Sequence, residues 1–155
     1  MLKRANQPYA SKLIGKWHLG HVGSLPTQRG WDEFYGIPYS NDMAASDYGL
    51  ADVPIANRIV TPLPLYNNTE IIEQPLDFAT ATERFTNEGI SFINRHERED
   101  SPFFLMMSYY QPHIPLNPSP AFANTSLRGP FGDCVAELDH SVGGIMQALE
   151  DRNVS

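Results

Sequence analysis

The fold follows from one stretch, ASKLIGKWHLG at residues 10–20. It begins with a short apolar run around Leu13 and Ile14, which predicts a β-strand over Ala10–Gly15 that enters a core and ends at a glycine. Charged and aromatic residues follow at once. A strand that is followed by such residues at its carboxyl end is typical of an α/β sheet with a ligand site at that edge.

Lys16 and His18 follow the predicted strand, with Trp17 between them. If the backbone stays extended, alternation places Lys16 and His18 on one face and Trp17 on the other. The pair then favours an anion site, in which the lysine supplies a fixed charge and the histidine donates a hydrogen bond or carries a proton. The alternative is an exposed lysine and a structural histidine beside a buried tryptophan. Spacing alone favours this alternative, because so short a motif is a weak signal without its structural context.

Composition and charge narrow the class of protein. The chain has 155 residues, of which 41% are hydrophobic, enough for the core of about one domain. The net charge of -7 and the lack of a basic run argue against a nucleic-acid partner. No apolar run is long enough to predict a membrane span. The one cysteine, Cys134, excludes a disulfide framework within the chain and a Cys-rich zinc site.

Periodicity predicts two helices and one further strand. From Asp77, apolar residues recur at steps of three and four up to the charged run at 95–100, which is typical of an amphipathic helix. The run FFLMMSYY at 103–110 predicts a strand that is central in its sheet and covered on both faces. A second amphipathic helix is predicted over 135–149, with Pro130 near its start. This order implies a parallel sheet with crossover helices.

Turn-forming residues dominate the rest of the chain. The aromatic-rich stretch at 27–43 is interpreted as irregular structure, because glycine, proline, asparagine and aspartate interrupt it. Residues 43–76 are proline-rich and are interpreted as a long excursion with one short strand near 58–61. The segment QPHIPLNPSP cannot continue a regular strand, so His113 is expected just past the carboxyl end of the second predicted strand.

Four segments, in this order, resemble the sulfatase family, and within it the arylsulfatase A type. They are LIGKWHLG at 13–20, GWDEFYGIPYS at 30–40, PFFLMMSYYQPHIPL at 102–116 and GPFGDCVAELDHSVGGIMQAL at 129–149. The resemblance implies an α/β fold: a partial parallel-type sheet with crossover helices, taken from an alkaline-phosphatase-like catalytic domain. We expect residues 1–155 to be an internal fragment of that domain, with 43–76 as the proline-rich excursion and no complete domain.

The resemblance also implies a reaction, the hydrolysis of sulfate esters, either small molecules or sulfated sugars. The family uses a formylglycine beside a divalent cation, usually calcium. By resemblance, Lys16 binds a sulfate oxygen, His18 contacts the hydrated formylglycine, Ser40 lines the substrate site, and His113 touches the ester oxygen and protonates the leaving alcohol. A sulfate monoester is anionic and an alkoxide leaves poorly, so a fixed cation and a positioned acid suit this chemistry.

The sequence departs from the family in two ways. The C/S-x-P-x-R motif that gives rise to formylglycine does not occur, and Cys134 lies in GDCVAE without the required proline and arginine. The family's metal-binding aspartates and asparagine fall outside the matched segments, so no metal ligand is assigned in this chain. We therefore expect activity in the full-length parent and an isolated chain that is inactive, poorly stable and marked by exposed apolar faces.

Two other functions stay open on the sequence. A phosphate or phosphonate ester hydrolase of the same superfamily could use a related scaffold, and the residue at the nucleophile position separates it from a sulfatase. A non-catalytic protein could keep the anion pocket and bind sulfated ligands without turnover. The remaining histidines are interpreted as solvent-facing or packing residues: His21, His96 and His140.

Overall fold

The computed structural model describes residues 9–20, 22–44, 62–96 and 102–152. In these residues, five strands form a single mixed sheet: β1 Ala10–Lys16, β2 Glu33–Ile37, β3 Leu65–Asn67, β4 Glu70–Glu73 and β5 Phe103–Ser108. The helices are α1 Phe78–Arg95 and α2 Gly129–Asp151, with short 3₁₀ turns at Pro26–Arg29 and Asn41–Ala44. Neither long helix of the described ranges has the length and apolar character needed to cross a membrane.

The sheet has the order β4-β3-β2-β1-β5. β1 runs parallel to both of its neighbours, β2 and β5, which confirms the predicted α/β architecture. β3 and β4 form an antiparallel hairpin that extends the sheet beyond β2, so the sheet is mixed and not wholly parallel. The carboxyl ends of the three parallel strands consequently meet at one edge.

Three strands were not predicted. β2 occupies part of the stretch that was interpreted as irregular, and the hairpin β3–β4 lies inside the supposed excursion at 43–76. Both interpretations are wrong for the same reason: these strands have three to five residues and are bounded by turn residues, so no alternation is long enough to stand out. The strand predicted near 58–61 falls outside the described residues.

β5 has the predicted position in the chain but a different position in the sheet. It lies at the edge of the described sheet, not at its centre. Phe103, Leu105 and Met107 pack toward α1 and α2, whereas Phe104 and Met106 are each 42% exposed on the other face. The continuous apolar run therefore does not report burial on both faces here, although Phe104 does stack on Trp31 with ring centroids 5.4 Å apart.

α1 begins where the sequence predicts, because Asp77 caps it. The Asp77 side chain accepts a hydrogen bond from the amide of Ala79 at 3.0 Å, which satisfies one of the free donors of the first turn. One face of α1 is buried against the sheet, and its core includes Ala81, Phe85 and Phe92.

The buried face of α2 differs from the predicted one. Val135 and Val142 are exposed, whereas Asp133, Glu137 and Ser141 are buried. The reason is that α2 packs on a loop as well as on α1, and the loop offers hydrogen-bond donors. Asp133 accepts hydrogen bonds from three backbone amides within residues 124–126. These bonds, led by that of residue 126, lower the pKa of Asp133, although burial opposes the shift.

Lys12 is a buried lysine near the start of β1. Its ammonium group contacts the carboxylates of Glu33, at 2.7 Å, and Glu88. Arg95 also reaches Glu33, at 2.8 Å. Burial by itself would raise the pKa of Glu33, but the hydrogen bonds and charges of Lys12 and Arg95 outweigh it and lower the pKa below its ordinary value. These contacts tie β1, β2 and α1 together.

We expect Lys12→Met to lower the free energy of unfolding by about 2 kcal/mol. This is less than the roughly 3–5 kcal/mol for a fully buried pair, because both carboxylates are partly exposed and regain water. Arg95→Ala removes the other cation from Glu33, but Arg95 is half exposed, so the loss should stay below about 1 kcal/mol. Denaturant titration measures both, and equal losses would contradict this account of Lys12.

Three parallel strands approach unusually closely at one line of the sheet. Gly15 pairs with Gly36 of β2 on one side and with Ser108 of β5 on the other. A Cβ atom on Gly36 would lie 1.9 Å from the carbonyl oxygen of Gly15, and one on Gly15 would lie 2.1 Å from that of Ser108. Only glycine fits at either position, and Gly15 also has a φ of 107°.

We expect Gly36→Ala to destabilise the protein by about 3 kcal/mol or more, because the new methyl group overlaps a backbone oxygen that cannot move independently. Gly143→Ala is the matched control. Gly143 lies inside α2, and a Cβ atom added there would meet no neighbouring atom within 4 Å, so this substitution should stabilise the helix by about 0.5–1 kcal/mol. The melting temperatures of the two variants check this prediction. A steric requirement lowers the melting temperature of Gly36→Ala alone, whereas a general intolerance of alanine lowers it in both variants.

Candidate functional site

Three of the predicted site residues lie at the carboxyl edge of the parallel strands. Lys16 is the last residue of β1, Ser40 follows β2, and His113 follows β5. Because these strands are adjacent and parallel, the segments that leave them emerge side by side. Lys16 and His113 therefore lie at the carboxyl ends of their strands, as the sequence predicted. The position of Ser40 follows from β2, which was not predicted.

Lys16 is held by contacts at both ends of the residue. Its Nζ donates a hydrogen bond to Ser40 Oγ at 2.9 Å, and Ser40 is buried. Its backbone carbonyl accepts a hydrogen bond from Ser108 Oγ at 2.7 Å. An ammonium group has three hydrogens, and in the described part of the chain Ser40 engages one of them. The arrangement directs a positive charge toward the edge where an anion would bind.

Trp17 packs on the opposite side, as strand alternation predicts. Its ring joins the cluster around Leu13 and Phe34, and its Nε1 donates to the carbonyl of Ser24 at 2.8 Å. The alternation does not extend to His18, whose φ of 58° lies in the left-handed region. Strand alternation therefore does not determine whether Lys16 and His18 share a face, because the extended backbone ends before His18.

His18 is anchored through its backbone. Its amide donates to the carbonyl of Pro38 at 3.0 Å, and its side chain is exposed. Within the described ranges, its imidazole makes no hydrogen bond. The structure thus places His18 at the same edge as Lys16 and does not bring its ring into contact with the other candidate residues.

His113 presents one defined ring nitrogen. Its Nδ1 is hydrogen-bonded to the carbonyl of Ile114. A carbonyl oxygen only accepts, so Nδ1 must carry the hydrogen of this bond. That contact leaves Nε2 as the nitrogen available to a ligand. The side chain is exposed, while Pro112 and Pro115 restrict the backbone on either side of it.

Asn41 connects the two halves of the site and was not singled out in the sequence. It is completely buried. Its Nδ2 lies 3.3 Å from the carbonyl oxygens of both His113 and Pro115, and its Oδ1 lies 3.4 Å from Ser40 Oγ. A chain of hydrogen bonds therefore runs from Lys16 through Ser40 and Asn41 to the backbone around His113.

Asp42 adds a carboxylate at the rim of the site, which the sequence also did not reveal. A hydrogen bond from Ser40 lowers its pKa. Burial opposes the shift, and the aspartate's own backbone together with the nearby charges of His113 and Lys16 lowers it further. Asp42 is therefore ionised at neutral pH. The sequence offered one sign that Asn41 and Asp42 belong to the site, because both directly follow Ser40. Asparagine and aspartate are, however, equally typical of turns.

The loop that carries His113 is also fixed at its two ends. Buried Glu137, on α2, accepts hydrogen bonds from Gln111 Nε2 and from the amide of Ser119, each at 2.9 Å. Thr82 on α1 donates to the other end of the Gln111 amide, Oε1, at 3.0 Å. The loop is thus clamped by both helices, and its histidine has a defined position despite its exposure.

A cavity of about 430 Å³ lies elsewhere, between α1, α2 and the segment around Phe122. Its lining includes Thr86, Glu137 and Ser141, and none of the predicted site residues. The site is therefore an open edge of the sheet and does not coincide with this interhelical space. Functional assignment rests on the chemistry at the edge, because the groups suited to an anion are found there.

The described residues do not fit a metal ion or a formylglycine. Within the described ranges, no group of three or more His, Cys, Asp or Glu side chains is arranged to hold a metal. Cys134 lies buried in α2, and burial raises the pKa of its thiol, with a further contribution from the charge of Glu137. This thiol has the character of a packing residue and not of a nucleophile.

Comparison with known proteins gives consistent matches. A family model described as Sulfatase matches residues 1–155. Arylsulfatase G from Rattus norvegicus is 33% identical over 159 residues, covering 92% of this chain and 30% of that protein. N-acetylgalactosamine-6-sulfatase from Canis lupus familiaris is 35% identical over 165 residues, covering 100% of this chain and 29% of that protein. The solved structure of the PsFucS1 sulfatase from Pseudoalteromonas sp. matches with a TM-score of 0.80 at 24% identity, over 94% of this chain and 33% of that one.

These matches agree on both sequence and fold. The chain spans about 30% of the length of the curated relatives it matches. The solved structure, at its low identity, supports the fold alone: the α/β fold of the sulfatases. The family model covers every residue of the chain. The chain belongs to the sulfatase family.

Proposed function

We propose that this chain supplies the sulfate-binding lysine and the leaving-group acid of a sulfate ester hydrolase, in a protein of which residues 1–155 form one part of the catalytic domain. The observation that carries the proposal is the continuous contact from Lys16 through Ser40 and Asn41 to the loop of His113. A fixed cation and an imidazole with one free nitrogen are thereby held at one edge of the sheet.

Lys16 and His113 have complementary tasks in this reaction. The ammonium group of Lys16 binds a sulfate oxygen and stabilises negative charge there. As the bond between sulfur and the ester oxygen breaks, the sulfuryl group passes to an attacking oxygen that none of the described side chains supplies, ultimately that of water, and the departing ester oxygen takes the proton from Nε2 of the His113 imidazolium. The ring then holds only its Nδ1 hydrogen, which stays bonded to the carbonyl of Ile114. Ser40 orients the ammonium group through its buried hydroxyl.

Sulfatases generally use calcium and formylglycine. The described residues fit neither group, so the proposed steps are limited to binding and protonation by this chain's own side chains. For His18, a place at the reacting end of the site is supported by its position directly beyond β1, at the same edge as Lys16.

For the substrate, we propose a sulfated sugar or another small sulfate ester. One relative is an N-acetylgalactosamine-6-sulfatase by name, which supports a sulfated sugar. The rim carboxylate of Asp42 is a suitable acceptor for sugar hydroxyl groups, since an ionised carboxylate accepts and does not donate hydrogen bonds.

We expect Lys16→Ala in the complete protein to lower kcat/KM on a sulfate ester by about 100-fold or more, because the charge that stabilises the sulfate oxygen is lost. Inhibition by inorganic sulfate should weaken as well. Arg29→Ala, which removes an exposed cation that contacts Ser24, is the control and should leave both values nearly unchanged. Steady-state kinetics that fail to distinguish the two variants would contradict the role of Lys16.

We expect His113→Gln to act selectively on esters with poor leaving groups. Turnover of an alkyl sulfate should fall by about 100-fold or more, whereas 4-nitrophenyl sulfate, whose phenolate leaves without a proton, should be much less affected. His140→Gln, on the exposed surface of α2, is the matched control.

Comparable losses on both esters in His113→Gln would speak against a leaving-group acid. Faster turnover of the matching phosphate monoesters than of the sulfates by the wild-type protein would instead favour the phosphate ester hydrolase. Binding of sulfated sugars without any turnover would favour the non-catalytic alternative.

A further inference from the structure

One buried side chain lies between the lysine and the histidine of the site. Asn41 follows Ser40 in the 3₁₀ turn after β2 and is completely buried. Both carbonyls that its Nδ2 faces, those of His113 and Pro115, belong to the loop after β5. In the described ranges, no other side chain donates to these two carbonyls. Their hydrogen bonding therefore depends on one amide.

We infer that Asn41 is a positioning residue, which sets where the imidazole of His113 lies relative to the Lys16 ammonium group. The inference rests on the proposed function and deepens it. Glu137 holds the two ends of the loop, but it does so from α2. Asn41 fixes the middle of the loop, next to the histidine itself, and does so from the segment that also supplies Ser40.

An asparagine suits this position better than its isosteres. Its amide group offers two donor hydrogens for two carbonyls, and its oxygen is one of two acceptors near the Ser40 hydroxyl, the other being the Asp42 carboxylate. An aspartate would replace the amide donor with a second carboxylate oxygen, which cannot donate to the carbonyl oxygens of His113 and Pro115. At 3.3 Å each bond is long and individually weak. The bond to Pro115 nevertheless matters, because that contact is buried and a buried carbonyl left without a donor is costly.

The test separates the position of the acid from general stability. Asn41→Ala should lower kcat on an alkyl sulfate at least about 10-fold more than on 4-nitrophenyl sulfate, because a displaced acid matters only when the leaving group needs a proton. Inhibition by inorganic sulfate should change less than about threefold, since Lys16 and Ser40 remain. Asn41→Asp keeps the side-chain shape without the donors and should show the same dependence on the leaving group.

Two controls make the result specific. Asn68→Ala deletes the same side chain in the β3–β4 turn, where Asn68 has a φ of 56° and accepts from the amide of Phe34. It should lower the melting temperature without altering the ratio of the two substrates. In the His113→Gln background, Asn41→Ala should lower kcat on the alkyl sulfate by less than about a further threefold. The imidazole that Asn41 positions is already absent from that variant.

Each result has a clear meaning. Equal losses on both esters for Asn41→Ala and Asn41→Asp, or full additivity with His113→Gln, would overturn the role of Asn41 while leaving the proposed function intact. A complete, folded wild-type protein that hydrolyses no sulfate ester would overturn the proposed function, and this inference with it. Selective loss on the alkyl sulfate, absent in Asn68→Ala, would support the inference.

Discussion

The close approach of three backbones at Gly15 fixes the geometry of the site. Neither Gly15 nor Gly36 has room for a Cβ atom, since the carbonyl oxygens of neighbouring strands occupy that space. Lys16 comes directly after this contact, and its own carbonyl is held by Ser108. Backbone packing therefore sets the distance between the segments that follow β1, β2 and β5. Because close-packed backbones cannot shift easily, the side chains on these segments have defined positions.

Polar contacts, more than apolar packing, hold the loops around this edge. Asp133 and Glu137 are buried on α2, yet both are satisfied by backbone amides or by a side-chain amide. A buried acceptor with its full set of donors rigidifies its surroundings, whereas a partly satisfied one destabilises them. α2 consequently serves as a support for the loop of residues 111–128 as much as a cover for the sheet, which explains why its apolar stripe is only partly buried.

The sequence was informative where a pattern was long and uninformative where a strand was short. The two helices and β1 stand out by periodicity, and the end-of-strand rule located Lys16 and His113 correctly. β2 and the hairpin have too few residues for alternation to show, so the sheet order and the edge position of β5 could not be derived. Asn41 was missed because an asparagine after an aromatic stretch is typical of a turn, and burial, which marks it out, is a tertiary property.

The hydrogen bond between His113 Nδ1 and the Ile114 carbonyl has a consequence for the order of events in the proposed reaction. A freely rotating imidazole can release a proton from one nitrogen and recover one at the other. With one nitrogen tied to the backbone, His113 must discharge and recharge at the same atom. In the proposed reaction, the product alcohol would keep water from Nε2 until it departs, so the next cycle would begin only after the alcohol has left and solvent has returned a proton to Nε2.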